Sequence, residues 1–169
     1  MSATKSNDFT VKFANVNGTG SSSANGMFMK SLFRMGIPVV GKNYFPSNIQ
    51  GLPTWYEVRA NENGYLAPSG SVDIMVAMNA QTYDEDLSAV EPGGYLIYDS
   101  SWPRETLMTR DDITVLGVPL AKMCNEAFDT ARARTLMKNT TYVGVLAALL
   151  EMDMGVIEKL LLDTFGCLL

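Results

Sequence analysis

The sequence predicts an α/β fold, a mainly parallel sheet with helices on both faces. Three features lead there. Apolar runs of strand length recur at 11–16, 72–78, 95–98 and 113–118. Stretches with helical periodicity stand between and after them. A turn rich in glycine and serine, VNGTGSSSANG at 16–26, joins the first apolar run to the first helical one.

Residues 11–16 (VKFANV) read as a short first strand, followed at once by that turn. From 24 to 35, Met27, Phe28, Leu32 and Met35 recur at three- and four-residue steps, which marks one helical face. Ser23 or a neighbour offers a hydroxyl as N-cap. Gly36, with Pro38 just beyond, ends the helix. Residues 38–42 form a second strand, so the opening is a βαβ unit. The stretch 43–53, with two prolines and a glycine, is irregular. Residues 54–60 (TWYEVRA) place Tyr56 and Val58 on one face and Glu57 and Arg59 on the other. That is a strand with one wet face, an antiparallel or edge addition.

A loop at 61–70 leads to 72–78 (SVDIMVAM without its first residue), a near-continuous apolar run suited to a strand covered on both faces. Residues 81–90 read as helical, with Asp84, Glu85 and Asp86 on its surface. Pro92-Gly93-Gly94 turns the chain into the strand at 95–98, and Pro119 closes the strand at 113–118. The last third is helical. Residues 139–150, rich in Val, Ala and Leu, form a largely buried helix. Asp153 caps a final helix over 154–165, lined on one side by Val156, Ile157, Leu160, Leu161 and Phe165 and ended by Gly166. Residues 1–169 make one domain, with no internal repeat and no linker. The end at Leu169, just past that helix stop, reads either as a boundary inside a longer polypeptide, of which 1–169 would be an N-terminal fragment, or as a natural terminus.

Composition narrows the function. With 47% hydrophobic and 18% charged residues the chain is globular, and a net charge of −5 with no Lys/Arg run argues against nucleic acid. The longest apolar stretch, 142–150, is far too short for a bilayer, and MSATKSNDF is no secretory signal. The two cysteines, Cys124 and Cys167, lie far apart in no metal-like spacing and fit idle thiols in a reducing cytoplasm. The chain has no histidine, which removes Ser-His-Asp and Cys-His catalysis and the commonest metal ligand. No residue set here carries covalent or acid–base chemistry alone, and no metal site is expected. Asp73, inside an apolar strand, reads as half of an ion pair with Arg59 or another arginine. Asp111-Asp112 reads as a turn cap. The eleven methionines read mainly as core filling.

The glycine turn is the candidate binding element. Ligands of open α/β sheets bind outside the carboxyl ends of the strands, often at the first strand-to-helix turn. Gly18 allows the tight turn and Gly20 lets an anion approach the backbone. Free N–H groups of the following helix favour phosphate or carboxylate. Thr19, Ser21, Ser22 and Ser23 add hydroxyls. A dinucleotide site also wants an acid about twenty positions on. Lys42 and Asn43 stand there, which disfavours a nicotinamide cofactor.

The string VKFANVNGTGSSSANGMFMKSLFRMGIPVVGKNYFPSNIQGLPTWYEVR resembles the gamma domain of 2-oxoacid:ferredoxin (acceptor) oxidoreductases, in particular the N-terminal part of the fused alpha subunit. SVDIMVAMN, VEPGGYLIYDSS, ITVLGVPL and NTTYVGVLAALLEMD extend the resemblance along nearly the whole chain in family order. The family often has G-x-G-G-Q-G at the turn. Here Gly18 and Gly20 match, and Ser21, Ser22 and Ser23 replace the rest. The resemblance implies an accessory Rossmann-like domain of an enzyme that oxidatively decarboxylates a 2-oxoacid to acyl-CoA. It implies coenzyme A near Gly18 to Ser23. It puts thiamine diphosphate, magnesium and iron–sulfur clusters on partner domains or subunits, with ferredoxin taking the electrons. A non-catalytic α/β scaffold is the alternative, motivated by the apolar loop at 44–55 and the methionines.

Overall fold

The computed structural model describes residues 7–45, 49–68, 70–104 and 109–166, without the side chain of Phe165. Cys167, one of the two cysteines, lies outside the described residues. Among them the sheet has six strands, β1 (Asp8–Val16), β2 (Val39–Tyr44), β3 (Pro53–Asn61), β4 (Val72–Ala77), β5 (Val90–Asp99) and β6 (Thr114–Val118). The helices are α1 (Ser21–Arg34), α2 (Tyr83–Ala89), α3 (Leu120–Ala127), α4 (Ala131–Leu149) and α5 (Met154–Phe165).

The strands run in the order β2-β3-β1-β4-β5-β6. β1, β4, β5 and β6 are parallel, whereas β3 is antiparallel to both β1 and β2. The fold is the expected mixed, mostly parallel α/β sheet. β3 is antiparallel as foreseen but is not the edge strand. It slots between β1 and β2, so the β1-α1-β2 unit is split by one strand. A hydrogen-bonded neighbour on each side holds β3 in place.

Alternation along β1 builds two cores. Val11 and Phe13 point to one face, where they meet Met27, Phe28 and Leu32 of α1, Tyr142, Val143 and Leu146 of α4, and Ile157 and Leu160 of α5. Phe13 is the centre of this layer, with ring centroids 5.5 Å from Phe28 and 5.7 Å from Tyr142. Ala14 points to the other face, where Met75, Ala77, Leu96 and Tyr98 pack under Tyr83 and Leu87 of α2. Helices therefore cover both faces. β4 is buried on both sides at all but Asp73, as its apolar run requires.

Four sequence expectations need correction. α1 begins at Ser21, and its N-cap is Gly20 in the left-handed region at φ 78°, so Ser23 lies inside the first turn and caps nothing. Asp73 takes the backbone N–H of Thr10 at 2.7 Å, while Arg59 pairs with Asp8. The N–H of Thr10 lies just before the β1–β4 ladder begins at Val11, where the Asp73 carboxylate takes the place of a ladder carbonyl. Asp86 is not on the surface of its helix. It is 1% exposed and accepts from Trp55 Nε1 at 2.9 Å and Thr82 Oγ1 at 2.7 Å. Asp112 receives both ends of the Arg110 guanidinium, and Arg110 Nη1 in turn donates to the carbonyls of Leu87 and Val90 where α2 ends.

The final helix is as expected: Asp153 Oδ1 accepts from the Gly155 N–H at 2.8 Å. α4 starts well before 139, at a cap where Thr130 Oγ1 accepts from Ala133 N–H at 3.2 Å.

Candidate functional site: the turn between β1 and α1

The turn stands where β1, the hinge of the topology, hands over to α1. From β1 the chain crosses to the β3–β2 side, whereas from β4 it crosses toward β5 and β6. Such a switch point opens a crevice at the carboxyl ends of the strands.

Several bonds fix the turn. Gly18 has φ 87° and Gly20 φ 78°, conformations that a side chain would strain. Thr19 Oγ1 donates back to the Val16 carbonyl at 2.8 Å. From the other side, Asn139 Nδ2 of α4 donates to the Thr19 carbonyl at 2.9 Å. The 49–52 segment stitches to Asn17: Asn17 N–H donates to Leu52, and Gly51 N–H donates to Asn17, each at 2.9 Å. The Gln50 side chain lies over Gly18, and a Cβ there would fall 2.6 Å from its Cγ. Thr19 is thus a structural clamp, its hydroxyl spent within the turn.

What the clamps leave open is the start of α1, which no side chain caps. Unspent N–H groups and the helix dipole favour an acceptor or an anion there. A cleft of about 270 Å³ lies on one side of the turn. Gly18, Gly20, Ser21, Ser22, Asn15 and Asn25 line it, with Trp55 and Tyr56 across from them. On the other side Gly18, Thr19 and Gly20 face Arg132, Thr135 and Leu136 of α4 across an open hollow. The structure therefore brings Gly18, Gly20, Ser21 and Ser22 together on one side and Gly18, Thr19 and Gly20 together on the other. Ser23 is exposed and lines neither.

Beneath the cleft lies a polar group that the sequence reading missed. Tyr142 is fully buried and donates to Asn25 Oδ1 at 2.7 Å. Burial drives its phenol far above the ordinary tyrosine range. Asn15, 2% exposed, sits against the same hydroxyl. Its Nδ2 is enclosed and faces that hydroxyl, opposing the rise that burial imposes on the phenol. One signal would have found it: Val11, Phe13 and Asn15 share the inward face of β1, and Asn is the polar intruder.

Lys42 is elsewhere. It is exposed on the opposite face of β2 from Asn43, with its Nζ 4.8 Å from the centre of the Tyr44 ring. Among the described residues no group of three or more Cys, Asp or Glu could hold a metal ion. No helix among them is long and apolar enough to cross a membrane.

With this geometry in view, the known proteins that the chain resembles can be set beside it. A family model described as pyruvate ferredoxin/flavodoxin oxidoreductase matches residues 10–167. The 2-oxoacid:ferredoxin oxidoreductase 2, subunit alpha, of Aeropyrum pernix is 30% identical over 124 residues, covering 73% of this chain and 19% of that protein. Among solved structures, 2-oxoglutarate:ferredoxin oxidoreductase from Magnetococcus marinus, with 2-oxoglutarate, coenzyme A and succinyl-CoA bound, superposes with a TM-score of 0.80 at 24% identity. That match covers 96% of this chain and 28% of the other. The gamma subunit of keto/oxoacid ferredoxin oxidoreductase from Geobacter sulfurreducens superposes with a TM-score of 0.71 at 16% identity, over 92% of this chain and 85% of that one. At these identities the structural likenesses speak to the fold alone. This chain thus spans about a fifth of the curated relative it matches.

Proposed function

We propose a function from one premise: the chain belongs to the pyruvate ferredoxin/flavodoxin oxidoreductase family. In this reading it is the gamma-type domain of a 2-oxoacid:ferredoxin oxidoreductase, complete or as the N-terminal part of a longer subunit. It has no chemistry of its own and serves an assembly that turns a 2-oxoacid into acyl-CoA. Its task is to pack on the thiamine-bearing parts and to receive coenzyme A.

The observation that carries the binding role is the uncapped start of α1 at a switch point, clamped open by Asn139 and the 49–52 segment. Phosphates suit this place. Backbone N–H groups of a helix start meet them without a counter-charge to desolvate. Gly18 and Gly20 let them approach, Ser21 and Ser22 add hydroxyl donors, and Arg132 stands across the hollow. Thr19 would support the site through its clamp, whereas Ser23, which lines neither side of the turn, would add no contact. When bound, coenzyme A would supply the thiol that accepts the acyl group.

The other cofactors do not fit this chain. An iron–sulfur cluster takes four cysteine thiolates, and the sequence holds two cysteines, of which Cys124 is buried and free. Clusters, thiamine diphosphate and magnesium belong to partner domains or subunits in this reading, and electrons leave through them to ferredoxin. A reducing cytoplasm suits such chemistry. The scaffold alternative draws on exposed Phe45, Ile49 and Leu52, an apolar rim beside the turn.

The test is the native mass and cofactor content of the complex that carries this chain in its own cells. A large assembly with a thiamine-bearing and a cluster-bearing part is expected. A particle of 18.5 kDa running alone would overturn the reading and leave the family likeness as fold only.

A further inference from the structure

We propose that the open edge of β6 is an interface, which pairs antiparallel with the β6 of a second copy of this chain about a two-fold axis at Leu116. The inference goes beyond the coenzyme A reading and does not depend on the glycine turn.

Backbone parity carries it. β6 stands at one end of the sheet and pairs with β5 alone. Ser100 N–H donates to the Val118 carbonyl at 3.0 Å, so Val118 turns its backbone groups to β5. Alternation gives Leu116 and Thr114 the same direction and turns the N–H and C=O of Val115 and Gly117 outward. Among the described residues no strand or loop backbone takes these outward groups. Pro119, which has no N–H, ends the open stretch.

An unpaired row of this kind is a template for another strand, and folds guard it with lysine, proline or a covering element. The opposite edge of the sheet is guarded: β2 carries Lys42 and Asn43, both exposed. Pairing two β2 strands over their full length would set two Lys42 side chains beside the axis. β6, TVLGV, has no charged residue and no proline. Two copies meet along it with no like charges opposed.

The sequence of β6 also complements itself. A two-fold interface sets residue i opposite residue j and j opposite i. Only the register centred on Leu116 pairs all five residues. It sets Val115 opposite Gly117, the two residues with outward backbone groups, and they exchange N–H···O bonds on both sides of the axis. Val115 then faces a residue without a side chain. Gly117 is held to that by Tyr98, whose hydroxyl lies 2.9 Å from where a Cβ would stand. On the other face Leu116, half-buried against the apolar layer under α1, α4 and α5, meets its own copy and extends that layer across the axis.

Antiparallel pairing reverses the second copy, so the two carboxyl edges point in opposite directions. β6 lies three strands from β1, roughly 14 Å at the usual strand spacing. The pairing therefore leaves both glycine turns uncovered, one at each end of the joined sheet.

Leu116→Cys tests the register on the assembled enzyme carrying the full subunit, in a Cys167→Ser background and with Cys124 buried. Residues at 116 form a non-hydrogen-bonded pair with Cα atoms about 4.5 Å apart, within reach of a disulfide. Mild oxidation, digestion and mass spectrometry are expected to yield a peptide joined to its own copy at position 116. Val115→Pro removes an outward N–H that no internal bond uses. It deletes one bond on each side of the axis and is expected to cut that yield about tenfold, with the melting temperature and the KM for coenzyme A unchanged. Thr114→Lys, at an exposed position, adds the kind of guard that β2 has and is expected to cut the yield without altering the backbone. Absence of a peptide joined at 116 to its own copy would overturn the pairing, and so would a yield that neither substitution lowers. A link from 116 to a peptide of a different subunit would overturn self-pairing and give the edge to that subunit.

Discussion

At the carboxyl edge of the parallel strands, α3 starts under the side chain of Asp99, whereas α1 starts under none. Asp99 ends β5 and is 5% exposed. Its Oδ1 accepts from the N–H of Ala121, in the first turn of α3, at 3.2 Å and from that of Ser101 at 3.1 Å. Lys138 of α4 stands 3.8 Å from its other oxygen. That end is closed: Oδ1 takes backbone donors, and Oδ2, buried without a hydrogen bond, has the Lys138 ammonium as its counter-charge. The start of α1 has the same backbone donors, yet Gly20 has no side chain and the hydroxyl of Thr19 is turned back to Val16. The bonds that α1 does receive fix the loop in front of it and leave its N–H groups unspent. One helix start is used for stability, and the other is the one the proposed function gives to a ligand.

The largest effect that would break this contrast is at Asp99. Asp99→Ala strips the cap from α3 and leaves Lys138 without its carboxylate. A loss of about 2 kcal/mol is expected, or roughly 5 °C in melting temperature for a domain of this size. The KM for coenzyme A of the assembled enzyme should not move. A shift in KM without a shift in melting temperature would mean that the closed end is also a binding end.

A smaller effect separates Asp99 from the other buried carboxylate, Asp86. Burial raises the Asp86 carboxyl above the ordinary range, and Glu85 adds to it, against the bonds from Trp55 and Thr82 and the charge of Lys12. The native state therefore holds this proton to higher pH than the unfolded chain does. Its contribution to stability is fully present below the unfolded value, about 3.9, and is lost as pH rises through the elevated native value. Asp86→Asn keeps an acceptor for Trp55 and is expected to flatten that fall. Urea midpoints across the acid range, read by tryptophan fluorescence, check it.

The smallest effect is at Ser23. It is exposed and lines neither side of the turn. Ser23→Ala should leave stability within about 0.5 kcal/mol and leave the KM for coenzyme A unchanged. A clear rise in that KM would extend the site along α1 beyond Ser22.

The same contrast explains what the sequence made legible. Elements whose signals are local were readable. α5 announces itself through Asp153 and its periodic Ile157 and Leu160, and the turn through Gly18 and Gly20. Elements whose stabilising partners are distant in sequence were not. α3 draws its cap from Asp99, which stands before the intervening β6, so nothing within Leu120–Ala127 marks its start. The run of three serines looks like a cap, but the left-handed Gly20 lets the helix begin at the first of them. The first turns of α4, exposed at Ala131 and Arg132, lack the apolar density that reveals its buried half. At the site, the glycines and serines were visible as composition, whereas Asn15, Asn25, Asn139 and Tyr142 gain meaning only when β1, α1 and α4 converge.

The most direct measurement is amide hydrogen exchange across residues 18–23 of the assembled enzyme, with and without saturating coenzyme A. The account predicts that the N–H groups at the start of α1 exchange more slowly when the ligand is present, while those of Ala121 and Lys122 at the start of α3, already spent on Asp99 and Ser101, do not change. Unchanged exchange at 18–23 in an enzyme that is demonstrably loaded with coenzyme A would contradict it.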